Sequence, residues 1–137
     1  MIEYLLDTNV VSEVRKHRPH GAVVAWFQSV ARETVFVSVI TINQLQSGIE
    51  LTRQQDSVRA AELEHWLDEF SGSAQVLPVD VACAREGARL MDGKSWDLYE
   101  DAMIAATARV HSLTVVTRNE RDFRLFNVPV LNPFTSK

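Results

Sequence analysis

The sequence predicts the α/β class, with a mainly parallel sheet covered on both faces by helices. Three observations carry that reading. Short apolar runs such as Tyr4-Leu5-Leu6 and Leu113-Thr114-Val115-Val116 are continuous rather than alternating, as in strands buried on both faces. Segments of helical period separate these runs, and strands alternating with helices imply parallel pairing. Asp7 directly follows the first run, where a strand ends and a helix begins. In open α/β sheets the carboxyl ends of the strands form the crevice that binds ligands.

In chain order, Ile2 to Leu6 is the first strand. Asn9 to Arg15 carries Val10, Val11 and Val14 at i, i+1 and i+4, one face of a short helix. Pro19 interrupts, and a second helix follows His20-Gly21 with Val23, Val24, Trp26, Phe27 and Val30. Thr34 to Val39 is the second strand, rich in β-branched residues. From Thr41 the period turns helical (Ile42, Leu45, Ile49, Leu51), with Thr41 as the expected cap and Gly48 expected at a close packing contact. Gln54 to Phe70 predicts a long helix with Val58, Ala61, Leu63, Trp66, Leu67 and Phe70 inward, ended by Ser71-Gly72-Ser73.

Gln75 to Val79 is a brief third strand, and Asp80 caps a helix running to Met91. Asp92 to Ser95 is a loop. Leu98 to Val110 is apolar nearly all round and alanine-rich, so it is expected to lie buried and close against the sheet. Leu113 to Val116 is the fourth strand. Val128 to Leu131 is an edge strand, given Pro129. Four or five strands result, in one domain spanning residues 1–137.

At 137 residues the chain can bury a substantial core. One cysteine, Cys83, excludes an intrachain disulfide and suits the cytoplasm. No apolar stretch is long enough to span a bilayer, so no membrane role is expected. A net charge of −4 argues against indiscriminate nucleic-acid binding. Charge is uneven, with two basic clusters, Arg15 to His20 and Arg118 to Arg124, each of which read alone is solvated surface charge.

Three carboxylates stand at the edges of apolar elements: Asp7 after the first strand, Asp101 at the start of the buried helix, and Asp122 after the fourth strand. Asp97 shares a face with Asp101 if the helix begins early. Each has a purely structural use as well: Asp7 as a helix cap, Asp101 as an acid at a helix start, Asp122 in a surface turn, Asp97 in solvent. Two carboxylates ~5 Å apart at an effective dielectric near 20 repel by ~3 kcal/mol. A group of three therefore takes up protons or a cation. Oxygen donors alone favour Mg²⁺ or Mn²⁺ over Zn²⁺. The histidines show no zinc spacing, and Cys83 reads as core.

Leu5-Leu6-Asp7-Thr8-Asn9-Val10-Val11-Ser12-Glu13, Asp101-Ala102-Met103-Ile104-Ala105-Ala106-Thr107-Ala108 and Leu113-Thr114-Val115-Val116-Thr117-Arg118-Asn119 together resemble the PIN-domain ribonucleases, and among them the VapC- and FitB-like toxins of toxin–antitoxin modules. The resemblance runs nearly the whole chain. It implies an α/β/α sandwich with a short parallel sheet, a homodimer, and acids that hold Mg²⁺ or Mn²⁺ and cleave RNA. Asp7 matches the family's first acid and Asp101 its third, and these two are the implied metal ligands. The stretch Ser38 to Leu45 resembles the family's strand-to-helix motif, but Gln44 stands where relatives carry glutamate. Glutamine keeps the shape and loses the charge, so metal affinity and water activation should both fall. Asn119 stands at the fourth acid position, with Asp122 three residues on as the acid that replaces it. Thr8, Thr117 and Asn119 become polar supports, and Arg15 and Arg118 contacts to the RNA backbone.

Two functions of different class follow. One is an endoribonuclease toxin, weakened at Gln44 and acting on unpaired RNA. The other is a non-catalytic binding module whose partner is an antitoxin, reaching DNA only through it. The resemblance implies that the antitoxin places an Arg or Lys in the acidic pocket, a charge-assisted pair in place of the metal. The faces Val10–Val14 and Ile42–Leu51 are candidate grooves for it, although both read first as core. A receiver domain fits poorly, because no acid pair opens the first loop and no lysine closes the last strand.

Overall fold

In the computed structural model, which describes residues 1–135, five strands form one sheet. They are β1 (Tyr4–Leu6), β2 (Val35–Ser38), β3 (Val76–Leu77), β4 (Thr114–Val116) and β5 (Val130–Leu131). All pair in parallel, in the order β3-β2-β1-β4-β5. The chain builds outward from β1 to β3 on one side and then returns to add β4 and β5 on the other. The strand order therefore reverses at β1/β4, the place where open α/β sheets form their binding crevice.

Helices α1 (Thr8–Arg15), α2 (Gly21–Ser29), α3 (Val39–Arg53), α4 (Ser57–Ser73), α5 (Val81–Met91), α6 (Tyr99–His111) and α7 (Glu120–Arg124) surround the sheet. Side chains alternate along a strand, so neighbours feed different cores. Leu5 and Val115 join α6 residues Ala102, Ile104, Ala105 and Ala108 with Phe123 and Phe126. Leu6, Val37 and Val116 join Val10, Val11 and Val23 of α1 and α2. Each fully buried Leu, Ile, Val or Phe contributes ~1.5–3 kcal/mol over the exposed state, so both sheet faces demand a helical cover. The α/β/α sandwich is thus as expected.

Helix α6 lies between the sheet and α5, and all of Ala102 to Ala108 is buried. A Cβ at Gly87 of α5 would overlap the Met103 sulfur and touch Ala106. The missing side chain at Gly87 is what lets the two helices close. No helix among the described residues is long and apolar enough to cross a membrane.

Several local expectations are corrected. Helix α3 begins at Val39 rather than after Thr41, because Ser38 Oγ takes the Ile40 N–H at 3.0 Å and caps it. Thr41 is instead fully buried inside the helix. Nothing lies within contact of a Cβ built at Gly48, which faces open space rather than a packed helix. Helix α4 starts at Ser57 under an Asp56 cap and runs through Ser71-Gly72-Ser73, whose Ser71 and Ser73 hydroxyls bond back to carbonyls of the preceding turn. Val58 is 71% exposed and Val110 39%, so neither is core. Asp122 sits in the short helix α7, not in a turn.

Candidate active site

Asp7 directly follows β1 and Thr117 directly follows β4, and the register Leu6↔Val116 sets them side by side. The Asp7 N–H completes the ladder onto Val116 O at 2.9 Å. Its side chain caps α1 and also bonds across to the end of β4. Oδ1 accepts the Thr8 N–H at 2.8 Å, while Oδ2 accepts the Thr117 hydroxyl at 2.8 Å and Asn9 Nδ2 at 3.2 Å. The residue is 6% exposed. Burial raises its carboxyl pKa, and the bonds from Thr117 and Thr8 oppose that rise.

Asp101 opens α6 at the same crevice, half-buried. Desolvation first, then the negative charges of Asp7, Asp122 and Glu100, push its carboxyl up to about 6. The crevice therefore couples Asp7, Asp101 and Asp122 electrostatically. It is an open arrangement, since the three do not all bring an oxygen within 4.8 Å of one another. Asp122 is oriented by Asn119, whose Nδ2 donates to Oδ2 at 2.9 Å. Asn119 is itself anchored by its N–H on Thr117 Oγ1 at 2.9 Å. Thr117 thus connects Asp7 to the Asn119–Asp122 pair through one buried hydroxyl.

Gln44 projects from α3 toward the same end of the sheet but is joined to it through Thr8. The Thr8 hydroxyl donates to Gln44 Oε1 and lies 3.4 Å from the Thr41 hydroxyl. Thr8, Gln44 and Arg15 line a cavity of about 250 Å³ between α1, α3 and α4, with Leu45, Ile49 and Trp66 among its walls. Burial and the nearby Arg59 lower the Arg15 pKa, which leaves so basic a group protonated. Of the two helix faces considered as grooves, Val10 and Val11 are fully buried core, whereas the Leu45–Ile49 face opens on this cavity.

Arg118 is exposed and holds its guanidinium 3.7 Å over the Phe134 ring, a cation–π contact. Its N–H donates to Asn9 Oδ1 at 3.2 Å. Asp97 lies exposed in a 3₁₀ turn, as its solvated reading has it. Three residues went unassigned in the sequence. Asn9 ties Asp7, Thr117 and the Arg118 backbone together. Glu100 adds charge beside Asp101. Glu13, buried, takes Lys16 Nζ and the His20 N–H, both at 2.9 Å, and so folds the basic loop onto α1. Asn9 had a visible signal in its Asp-Thr-Asn context; the other two had none.

The donor set fits a hard divalent cation. Asp7, Asp101 and Asp122 offer only oxygen, and among the described residues none of them is ion-paired. Desolvation raises the Asp101 pKa first and repulsion from Asp7, Asp122 and Glu100 adds to it, and a cation relieves that repulsion. An open set of carboxylates suits Mg²⁺ or Mn²⁺, which retain water ligands.

A family model described as PIN domain matches residues 4–128. Plasmid stability protein StbB of Pseudomonas syringae pv. tomato is 36% identical over 137 residues, 95% of this chain and 97% of that protein. Toxin FitB of Neisseria gonorrhoeae is 38% identical over 137 residues, with the same coverage of 95% and 97%. VapC ribonuclease Y4jK of Sinorhizobium fredii is 33% identical over 142 residues, 95% of this chain and 96% of that protein. Among solved structures, FitAcB from Neisseria gonorrhoeae matches with a TM-score of 0.81 at 36% identity, covering 96% of this chain and 98% of that chain. FitAB bound to an IR36 DNA fragment matches with a TM-score of 0.73 at 32% identity, covering 98% and 97%.

Proposed function

The chain belongs to the PIN-domain family, and from that premise we propose that it is the toxin of a toxin–antitoxin module, a Mg²⁺- or Mn²⁺-dependent endoribonuclease weakened by Gln44. The observation that carries the reading is the convergence of Asp7, Asp101 and Asp122 on the β1/β4 crevice, with Asp101 raised to about 6 by burial and by its neighbours' charge. Relatives that carry the names toxin and ribonuclease support it.

Asp7 and Asp101 would hold the cation, and Asp122 would stand beside them, oriented by Asn119. When bound, the cation would lower the pKa of its water and stabilise negative charge on phosphate oxygens. Thr117 and Asn9 hold the Asp7 carboxylate in one orientation. Gln44 presents an amide where a carboxylate would add charge, and its oxygen is already engaged by Thr8. Arg15 beside Gln44 and Arg118 at the rim would carry the phosphate backbone of a single-stranded RNA.

The partners follow from the same premise: a cognate antitoxin, a second copy of this chain in a homodimer, and DNA only through the antitoxin, in the cytoplasm, within one domain. Solved complexes of relatives, one of them DNA-bound, support this. The engaged Gln44 also favours a second reading, a binding module that keeps the fold and the antitoxin contact without catalysis.

Cleavage of unpaired RNA by the purified chain and its Q44E variant, with Mn²⁺ or with chelator, decides between them. The toxin reading expects chelator-sensitive cleavage that rises in Q44E and disappears in D101N. No cleavage by either chain, together with no Mn²⁺ heat by calorimetry, supports the binding module.

A further inference from the structure

At the end of α6 away from Asp101, Asp80, Cys83 and His111 bring a carboxylate oxygen, a thiol sulfur and an imidazole nitrogen within 4.8 Å of one another. Two come from the first turn of α5 and its cap, the third from the last residue of α6. The helices are antiparallel neighbours, fixed in register by Gly87 against Met103 and by the Glu86–Arg109 ion pair at 2.7 Å. Among the described residues no other three such side chains converge this closely.

We propose that Asp80, Cys83 and His111 form a binding site for a borderline transition-metal ion of the Zn²⁺ class, separate from the acidic crevice. The donor chemistry selects the ion. Sulfur and nitrogen beside one carboxylate suit Zn²⁺ and disfavour Mg²⁺. A thiolate and a carboxylate together match a divalent charge. Ligand atoms around tetrahedral zinc stand about 3.3–3.7 Å apart, so donors that already lie within 4.8 Å of one another need close by no more than about 1.5 Å. Asp80 and His111 are exposed and can rotate to do so, over a Cys83 that is fixed and buried.

Helix capping does not account for the cluster. The cap needs only Asp80 Oδ1 on the Cys83 N–H, at 2.9 Å. It does not involve His111, which the packing of α5 on α6 brings alongside and whose charge attracts Asp80. Free of metal, the thiol stays protonated, since burial and Asp80 raise its pKa. Binding exchanges that proton, released to solvent, for the metal–sulfur bond. His111 stands ten residues along α6 from Asp101, about 15 Å, so the ion would fasten α5 to α6 without touching the acidic centre.

Co²⁺ added to the full-length chain provides the test. Cys83 is the only cysteine, so a thiolate-to-cobalt charge-transfer band reports this site alone, and cobalt held by carboxylates gives none. The band should appear, yield to Zn²⁺, resist excess Mg²⁺, and survive in D101N. D80N, which preserves the cap, and H111Q, at an exposed position, should each weaken Co²⁺ binding by more than about tenfold. Even outer partners of a metal ligand cost about that much. A parent chain without the band, or either variant titrating like the parent, overturns the proposal.

Discussion

The Thr117 hydroxyl donates to Asp7 Oδ2 at 2.8 Å, joining two residues 110 positions apart at the ends of adjacent strands. The same oxygen, Thr117 Oγ1, accepts the Asn119 N–H. T117V keeps the shape and removes both bonds, together with the longer one that Thr117 Oγ1 accepts from Asn9 Nδ2 at 3.4 Å. It should lower stability by about 1–3 kcal/mol, the cost of leaving a buried polar group unmatched, and raise the Asp7 pKa further. Urea unfolding with an unchanged slope and a lower midpoint is the expected result. T117S should recover most of the loss. A T117V chain as stable as its parent would show that this hydroxyl does not hold Asp7.

Asp101 makes stability depend on pH in a defined direction. Its folded pKa, about 6, lies above the ordinary 3.8, so folding favours the protonated form. That contribution is complete below about 3.8 and is lost as pH rises through 6; above it the charge is a burden. D101N is neutral throughout. It should therefore exceed the parent at pH 8 by ~1–2 kcal/mol, allowing for solvent screening of a half-exposed group, and match it near pH 3.5. Thermal scans in chelator at the two pH values test this. Equal Tm at pH 8 would remove the electrostatic case for a cation site.

What was legible in the sequence was what local pattern determines. Leu5-Leu6 and Val115-Val116 read as buried strands because their apolar runs are short, and the alanine-rich stretch from Ala102 to Ala108 read as a buried helix because it is long and apolar nearly all round. Asp7, Asp101 and Asp122 were legible as acids at element ends. Their convergence depended on the strand order β3-β2-β1-β4-β5, which no local pattern encodes. The misplaced start of α3 has a local cause: Val39 suits a strand, but the Ser38 hydroxyl captures the Ile40 N–H first. Gly48 read as a packing contact because glycine inside a helix needs a reason, and no neighbouring side chain supplies one. Asp80, Cys83 and His111 were invisible as a group, since His111 arrives across a helix–helix contact rather than at a sequence spacing.

Position 44 should affect metal-linked stability as well as cleavage. Glutamate there adds a negative charge near Asp7, Asp101 and Asp122, so Q44E in chelator should melt below the parent at pH 8. With Mn²⁺ the order should reverse. A site about tenfold tighter adds ~1.4 kcal/mol of stability at the same excess of metal, a few degrees in Tm. Equal Mn²⁺-induced shifts in the two chains would place residue 44 outside the cation's reach.

Gly87 tests how closely α6, and Asp101 with it, is held. In an exposed helix, alanine at this position would gain up to about 1 kcal/mol of propensity. Here its Cβ would overlap the sulfur of Met103, which is 5% exposed and two residues from Asp101 on α6. Overpacking of this kind costs about 1–3 kcal/mol, so G87A should be a net loss of roughly 1 kcal/mol. M103A alone opens a cavity and costs about 2–5 kcal/mol, but it removes the overlapping atom. In that background G87A should change sign and stabilise the chain. A double-mutant cycle in urea measures the coupling. If G87A costs the same with and without Met103, its penalty comes from the α5 backbone rather than from the close approach of α5 to α6.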